Sequence, residues 1–138
     1  MNKDDLNLSN LNKCIESLKE CLSDYKKNYD EKIKEYISDS CIKRFEYTVE
    51  TSWKVMKRYL KLQYGKTDKE LTMNNIFRYM EGYGLITSWD SWKNYYNNRN
   101  NTSHEYNQEK ASEILSIAEK FLVDAEEFYN NLSKALNS

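Results

Sequence analysis

Apolar residues recur every three or four positions along most of the chain, which is the spacing of one face of an α-helix. A first stripe ends before a polar break at Asn28 and Asp30, and a longer stripe follows it and stops near Gly65. The polar run 66–70 predicts a loop. Two long amphipathic helices are therefore expected, with the stripes Leu8, Leu11, Ile15, Leu18, Leu22 and Tyr25, and Ile33, Ile37, Cys41, Phe45, Val49, Trp53, Met56 and Leu60.

The second half of the chain predicts two shorter helices and one long helix. Thr72 is an expected N-cap, because its hydroxyl can accept a hydrogen bond from a free amide of the first turn. Gly82 and Gly84 should end that helix, and residues 87–88 should cap the next one. Asn107 is the expected cap of the last helix. The fourth helix would carry Trp89, Trp92, Tyr95 and Tyr96, and the fifth the stripe Ala111, Ile114, Leu115, Ala118, Leu122, Ala125, Tyr129, Leu132 and Leu136.

The pattern contains no strand-like alternation, internal repeat or interdomain linker. Proline is absent and glycine occurs three times in 138 residues, so few positions interrupt a helix. We therefore expect one all-α domain over residues 1–138, an up-and-down four-helix bundle with an extra short helix.

Composition narrows the classes of function. The formal net charge is −1, so any contact with RNA should be local, because broad phosphate binding needs many cations. The N-terminus is polar, and no apolar run approaches the roughly 20 residues that span a bilayer. We expect a cytoplasmic protein that does not bind membranes.

Three cysteines, Cys14, Cys21 and Cys41, form no Cys-x-x-Cys pair, and the chain has one histidine. These are too few ligands for a structural zinc site. The cysteines are interpreted as small core or boundary residues in a reducing compartment. No metal or cofactor is expected.

The segment 92–106 concentrates reactive side chains. His104 would titrate near neutral pH if unperturbed, and Arg99 is a permanent cation whose fork matches phosphate oxygens. On a regular helix, the side chains of residues five positions apart point about 140° away from each other. Arg99 and His104 can therefore converge on one phosphate only if the helix ends or tightens between them. The alternative is that both are ordinary cations near a helix C-terminus, where the dipole favours positive charge.

The motif Arg99-x4-His104-x-Tyr106 resembles the signature of HEPN toxins that are paired with minimal nucleotidyltransferases. The chain differs from that family at one position of the motif, where it has Asn101 and family members often have an apolar residue.

The chain is also similar to nucleotidyltransferase substrate-binding proteins. This resemblance extends over roughly residues 9–135, and the matching segments occur in the same order and at approximately the same spacing. The matching segments before the motif are Phe45-Glu46-Tyr47-Thr48-Val49-Glu50-Thr51-Ser52-Trp53-Lys54, Tyr59-Leu60, Gly84-Leu85-Ile86, and Trp89 or Trp92.

The resemblance implies a homodimer that cuts RNA in a cleft between subunits without a metal ion. His104 would act as general base and Arg99 would stabilise charge on the phosphate. The acid for the leaving oxygen would come from the second subunit. Asn100, Ser103 and Glu46 are expected to help position the substrate. The implied partner is a minimal nucleotidyltransferase, which would transfer AMP to Tyr106 and block the cleft.

Several assignments stay open at this point. Tyr106 is either the AMP acceptor or a residue that packs at a helix junction. Of two acids one turn apart, Glu46 is favoured to hold Arg99 or His104, and Glu50 is interpreted as a solvated residue paired with Lys54. The aromatic residues of the fourth helix are interpreted as core rather than as a base-stacking platform.

Two other classes of function compete with the ribonuclease. The first is a non-catalytic subunit that presents substrate to a nucleotidyltransferase. The second is an interaction scaffold that uses the apolar seam from Leu8 to Tyr25 as its contact surface.

Overall fold

The structure of the protein is a computed structural model that describes residues 6–101 and 108–137. Over these residues the chain forms five helices and no strand, so the all-α prediction is confirmed. The helices are α1 (Ser9–Tyr25), α2 (Glu31–Tyr64), α3 (Met73–Gly82), α4 (Trp89–Asn101) and α5 (Gln108–Asn137).

The ends of α2 follow local capping chemistry. The Asp30 side chain accepts a hydrogen bond of 2.9 Å from the backbone amide of Ile33. At the other end Gly65 adopts the left-handed conformation with φ of 62°. Its own amide donates to the carbonyl of Lys61, and the amide of Lys66 donates to the carbonyl of Leu60. Both boundaries match the sequence prediction.

The short helices also begin and end at the expected residues. The Thr72 hydroxyl accepts from the amide of Asn75 at 3.3 Å, and the Ser88 hydroxyl accepts from the amide of Ser91 at 3.2 Å. Gly84 has φ of 76°, so a side chain there would strain the turn after α3. Asn107, the expected cap of α5, lies outside the described residues.

The apolar seam of α1 faces the interior of the bundle. Leu11, Ile15, Leu18 and Leu22 are all buried, and α1 packs along α2 and against α5. This packing contradicts the scaffold hypothesis, because the seam that it needed as a contact surface is already covered within the chain.

Aromatic rings join α4 to α2 and α5. Trp92 makes edge-to-face contacts with Phe121 and Phe128 at centroid distances of 5.4 and 5.7 Å. Phe121 also contacts Phe45, at 5.5 Å, and Tyr95, at 5.2 Å. Trp92 and Tyr95 are buried, so their interpretation as core is confirmed.

Two cysteines lie where α1 and α2 meet. Cys21 and Cys41 are buried, with their Sγ atoms 2.7 Å apart, and both are free thiols, as is the half-buried Cys14. Their interpretation as core and boundary residues is confirmed. None of the helices within residues 6–101 and 108–137 is long and apolar enough to cross a membrane.

Candidate functional site

Arg99, the first residue of the predicted motif, lies in the last turn of α4 and reaches across to α2. Its Nη2 atom is 3.1 Å from Oε2 of Glu50. The two side chains are 34% and 30% exposed, respectively, so the pair lies at the surface yet is partly shielded from water. The carboxylate of Glu50 therefore restrains the guanidinium at a partly exposed position.

Glu50 binds a second cation through its other oxygen. Lys54, one turn further along α2, places Nζ 3.2 Å from Oε1 of Glu50. The same ammonium lies 5.8 Å from the centroid of the Trp53 ring. Glu50 therefore holds Arg99 and Lys54 together at one place on the surface.

The structure corrects the interpretation of Glu50 as only a solvated residue. The predicted Glu50–Lys54 pair is present, but Glu50 also binds Arg99. The contact of Glu46 with His104, one of the two predicted for it, involves a residue outside the described ones. Glu46 lies 3.7 Å from Lys43, and its side chain is mostly shielded from solvent. Its proposed role in positioning substrate stays a prediction.

Of the other four predicted site residues, the structure describes one. Asn100 is exposed on the last turn of α4, beside Arg99. His104, Ser103 and Tyr106 lie outside the described residues, so the convergence of Arg99 and His104 remains a prediction.

Buried contacts hold α4, and with it Arg99, against the bundle. Trp92 is buried among rings of α3 and α5. One turn later the Tyr95 hydroxyl donates to the carboxylate of Asp124 on α5. Burial, and then this hydrogen bond to an anion, raises the pKa of Tyr95 above its ordinary value. Asp124 could not be predicted as the partner of Tyr95, because nothing in the local sequence indicates a contact with another helix.

A cavity of about 570 Å³ opens beside Glu50, between the start of α1 and the middle of α2. Glu50 and Lys54 contribute to its wall together with Asn10, Thr51 and Arg58. Polar groups of this kind can orient a small ligand. The described residues contain no group of three or more histidine, cysteine, aspartate or glutamate side chains that could hold a metal ion.

Residues 6–134 match the sequence model of a protein family described as "Nucleotidyltransferase substrate binding protein like". The chain belongs to this family. The resemblance stated from the sequence is therefore confirmed at the level of the family.

A curated relative is also similar to this chain. A Haemophilus influenzae protein named "Probable ribonuclease HepT" is 36% identical over 86 residues. That match covers 61% of this chain and spans 59% of the length of the relative.

Solved structures show the same bundle. A solved structure from Haemophilus influenzae, described as revealing the fold of a substrate-binding domain of a nucleotidyltransferase, is 28% identical with a TM-score of 0.85. The match covers 92% of this chain and 99% of the other. A Thermus thermophilus protein shares the fold at 23% identity, with a TM-score of 0.74 over 88% of this chain and 98% of its own.

Proposed function

We propose that this family member is a HEPN-type ribonuclease toxin that acts in the cytoplasm, cuts RNA without a metal ion or other cofactor, and is neutralised by a minimal nucleotidyltransferase. The observation that carries the proposal is the pair of Arg99 and Glu50. It presents the arginine of the Arg-x4-His motif at the surface in a restrained position. A guanidinium can bind a phosphate through two parallel hydrogen bonds and stabilise charge that develops on it. The similarity to a protein named as a probable ribonuclease supports the same reading.

The proposed reaction uses two histidines from two copies of the chain. His104 of one subunit takes the proton from a ribose 2′-hydroxyl, and the oxygen attacks the adjacent phosphorus. The bond to the 5′ oxygen of the next nucleotide breaks, and that oxygen receives a proton from His104 of the second subunit. Arg99 stabilises the charge on the phosphate. The products are a 2′,3′-cyclic phosphate and a free 5′-hydroxyl.

Four other residues have supporting roles in this proposal. Asn100 and Ser103 position the RNA through hydrogen bonds, and Glu46 helps to orient the motif from α2. Tyr106 receives AMP from the partner nucleotidyltransferase. A modified Tyr106, two residues after His104, would add bulk and negative charge beside the catalytic groups and so exclude RNA.

A second candidate is a non-catalytic subunit that binds substrate for a nucleotidyltransferase. The likeness to a solved structure described as such a substrate-binding domain favours it. Both candidates use the same partner and the same surface around Arg99. They differ in whether the chain cuts RNA by itself.

The decisive experiment compares growth and RNA integrity in cells that express the wild type, His104→Ala or Arg99→Lys at matched levels. The ribonuclease proposal predicts arrest and cleaved RNA with the wild type, and neither with the two variants. Arg78→Lys is the matched control, because Arg78 is an exposed arginine of α3 that lies over the Trp89 ring. It should behave as wild type.

The same proteins should then be purified and mixed with end-labelled RNA in the presence of EDTA. Cleavage by the wild type with 2′,3′-cyclic phosphate ends would support the proposed chemistry. A harmless wild type that leaves RNA intact, while binding a nucleotidyltransferase, would contradict the ribonuclease and favour the second candidate.

A further inference from the structure

The exposed side of α2 carries a stripe of cations beyond Glu50. Lys54, Lys57, Arg58 and Lys61 have the spacing i, i+3, i+4 and i+7, which places them side by side on one face of a helix. With Trp53 they line a shallow groove of about 320 Å³. We call these four residues the cationic face; it extends about 10 Å along α2 at 1.5 Å per residue.

The lysines of the cationic face share their carboxylate partners. Lys57 and Lys61 both bind Asp68, which follows α2 in the chain, the former at 3.5 Å. Lys54 binds Glu50, which is itself shared with Arg99. Glu50 and Asp68 thus each bind two cations. A chain whose net charge is −1 has concentrated cations at this place.

The bond between Asp68 and the lysines is open to competition by another anion. The hydrogen bond and charge of Lys61 lower the pKa of Asp68, so the carboxylate is ionised at neutral pH. Its side chain is 72% exposed. Because exposed ion pairs contribute little free energy, a phosphate that bridges Lys57 and Lys61 could replace Asp68 at small cost.

Two exposed aromatic rings continue the stripe. Tyr64 lies one turn beyond Lys61 on α2, and its ring is stacked on that of Tyr83, with parallel planes and centroids 3.8 Å apart. The rings are 40% and 39% exposed. Large rings left partly in water beside a row of cations are typical of proteins that bind single-stranded nucleic acid, because bases stack on aromatic faces. We call Tyr64 and Tyr83 the tyrosine stack.

We propose that the cationic face binds the phosphates of single-stranded RNA and that the tyrosine stack binds its bases, so that the strand is led along α2 towards Arg99. The direction follows from the chain of contacts, because Lys54 and Arg99 share Glu50. As an account of substrate recognition, this inference rests on the proposed ribonuclease function. An acidic protein could be bound by the cations alone and would not need the tyrosine stack. RNA is therefore favoured as the ligand, because its bases can stack on the two rings.

The binding test uses a fluorescein-labelled single-stranded 2′-O-methyl RNA of twelve nucleotides, which cannot be cut by 2′-hydroxyl attack. Fluorescence anisotropy is measured with the wild-type protein over a range of salt concentrations. The double variant Lys57→Ala/Lys61→Ala should weaken binding and reduce the slope of log K against log salt by about 1 to 1.5, since each phosphate contact contributes about 0.7. The matched control is Lys120→Ala/Lys134→Ala on α5, which removes the same charge from exposed positions.

The tyrosine stack is tested separately. Tyr64→Leu/Tyr83→Leu should weaken binding roughly 5- to 100-fold, the range expected for loss of base stacking, with little change in salt slope. Tyr36→Leu, at an exposed tyrosine near the start of α2, is the control and should bind as wild type. Circular dichroism establishes that each variant is folded.

The results separate this inference from the ribonuclease proposal. With cleavable RNA, the double lysine variant should raise KM while kcat stays nearly unchanged. If the wild type cuts no RNA but its binding depends on the lysines and tyrosines, the ribonuclease proposal fails and this inference stands. The inference is overturned if the wild type does not bind the oligonucleotide or if both lysine double variants lose the same affinity. It is also overturned if polyglutamate binds as tightly as RNA, with no effect of the tyrosine variants.

Discussion

Arg99 at the end of α4 and Glu50 in the middle of α2 form an ion pair of 3.1 Å that ties the predicted motif to the longest helix of the bundle. Each side chain is about one third exposed. An ion pair in that setting adds little to the free energy of unfolding, because water screens it and both side chains lose rotamer freedom. Its effect should therefore be on the orientation of the guanidinium rather than on stability.

The first prediction concerns Glu50→Gln, which keeps the shape of the side chain and removes its charge. If the chain is a ribonuclease, kcat should fall about tenfold or more while KM changes little, because a misoriented Arg99 loses contacts made in the transition state. The free energy of unfolding should change by less than about 1 kcal/mol. Steady-state cleavage kinetics and urea denaturation measure the two quantities.

Glu119→Gln is the control for that experiment, since Glu119 forms an exposed ion pair with Lys26 at 3.2 Å, away from the motif. It should leave kcat unchanged. An equal loss of kcat in both variants, or none in Glu50→Gln, would contradict a positioning role for Glu50. Glu46→Gln, measured in parallel, tests the residue that the sequence favoured.

The second prediction concerns the hydrogen bond from Tyr95 to Asp124. Tyr95→Phe should lower the free energy of unfolding by about 1 to 2 kcal/mol at pH 8, because it removes a partly buried bond to a charged acceptor. The pKa of Tyr95 is raised in the folded state. The folded protein thus keeps a proton that the unfolded chain loses near pH 10. The stabilisation is complete below that pH and is lost as the pH rises beyond it.

Urea denaturation of wild type and Tyr95→Phe at pH 8 and pH 10.5 tests this direction of the pH dependence. The difference between the two proteins should be smaller at the higher pH. Tyr129→Phe, at a partly buried tyrosine packed against the core, provides the control. A difference that is constant or grows with pH would show that the Tyr95 hydroxyl does not titrate as expected.

Helix boundaries could be predicted from the sequence because their causes are local. Asp30 and Thr72 accept hydrogen bonds from amides three residues later, and Gly65 adopts a conformation that other residues rarely take. None of these contacts depends on how the helices pack. The order of the helices and the fold class followed from the spacing of apolar residues, which is also a local property of the sequence.

Contacts between helices could be predicted only in part. Glu46 and Glu50 are one turn apart on α2, and which of them reaches Arg99 depends on the rotation of α2 against α4, which packing decides. Phe121 and Phe128 were left out of the predicted stripe of α5, although both are buried. Their positions fit the helical period, so their omission was an error of pattern reading rather than a limit of the sequence.

The third prediction concerns the ring of Trp92, which joins α4 to α3 and α5. Trp92→Ala should lower the free energy of unfolding by about 3 to 5 kcal/mol, since it removes a buried ring and leaves a cavity. Val123→Ala is the control; Val123 is exposed on α5, so its truncation should change stability by less than about 0.5 kcal/mol. Thermal and urea denaturation measure both. Similar losses in the two variants would contradict the assignment of Trp92 to the core.

The last prediction concerns the reactivity of the three thiols. Burial, and then the hydrogen bond with Cys21, raises the pKa of the Cys41 thiol. Thiolates are the reactive form, and Cys21 and Cys41 are both shielded at the contact of α1 with α2, whereas Cys14 is half-buried near the surface. In the native protein iodoacetamide should modify Cys14 on the order of 100-fold faster than the other two, whose reaction requires local opening of the bundle.

Peptide mass mapping after timed alkylation gives the three rates, and the same reaction in urea supplies the reference in which all three thiols should react alike. Cys14→Ser should remove the fast phase and leave the slow one unchanged. If Cys41 reacts in the native protein as fast as Cys14, α1 must separate from α2 readily. The outer side of α2, which carries Glu50 and the cationic face, would then lack the rigid support that the positioning of Arg99 requires.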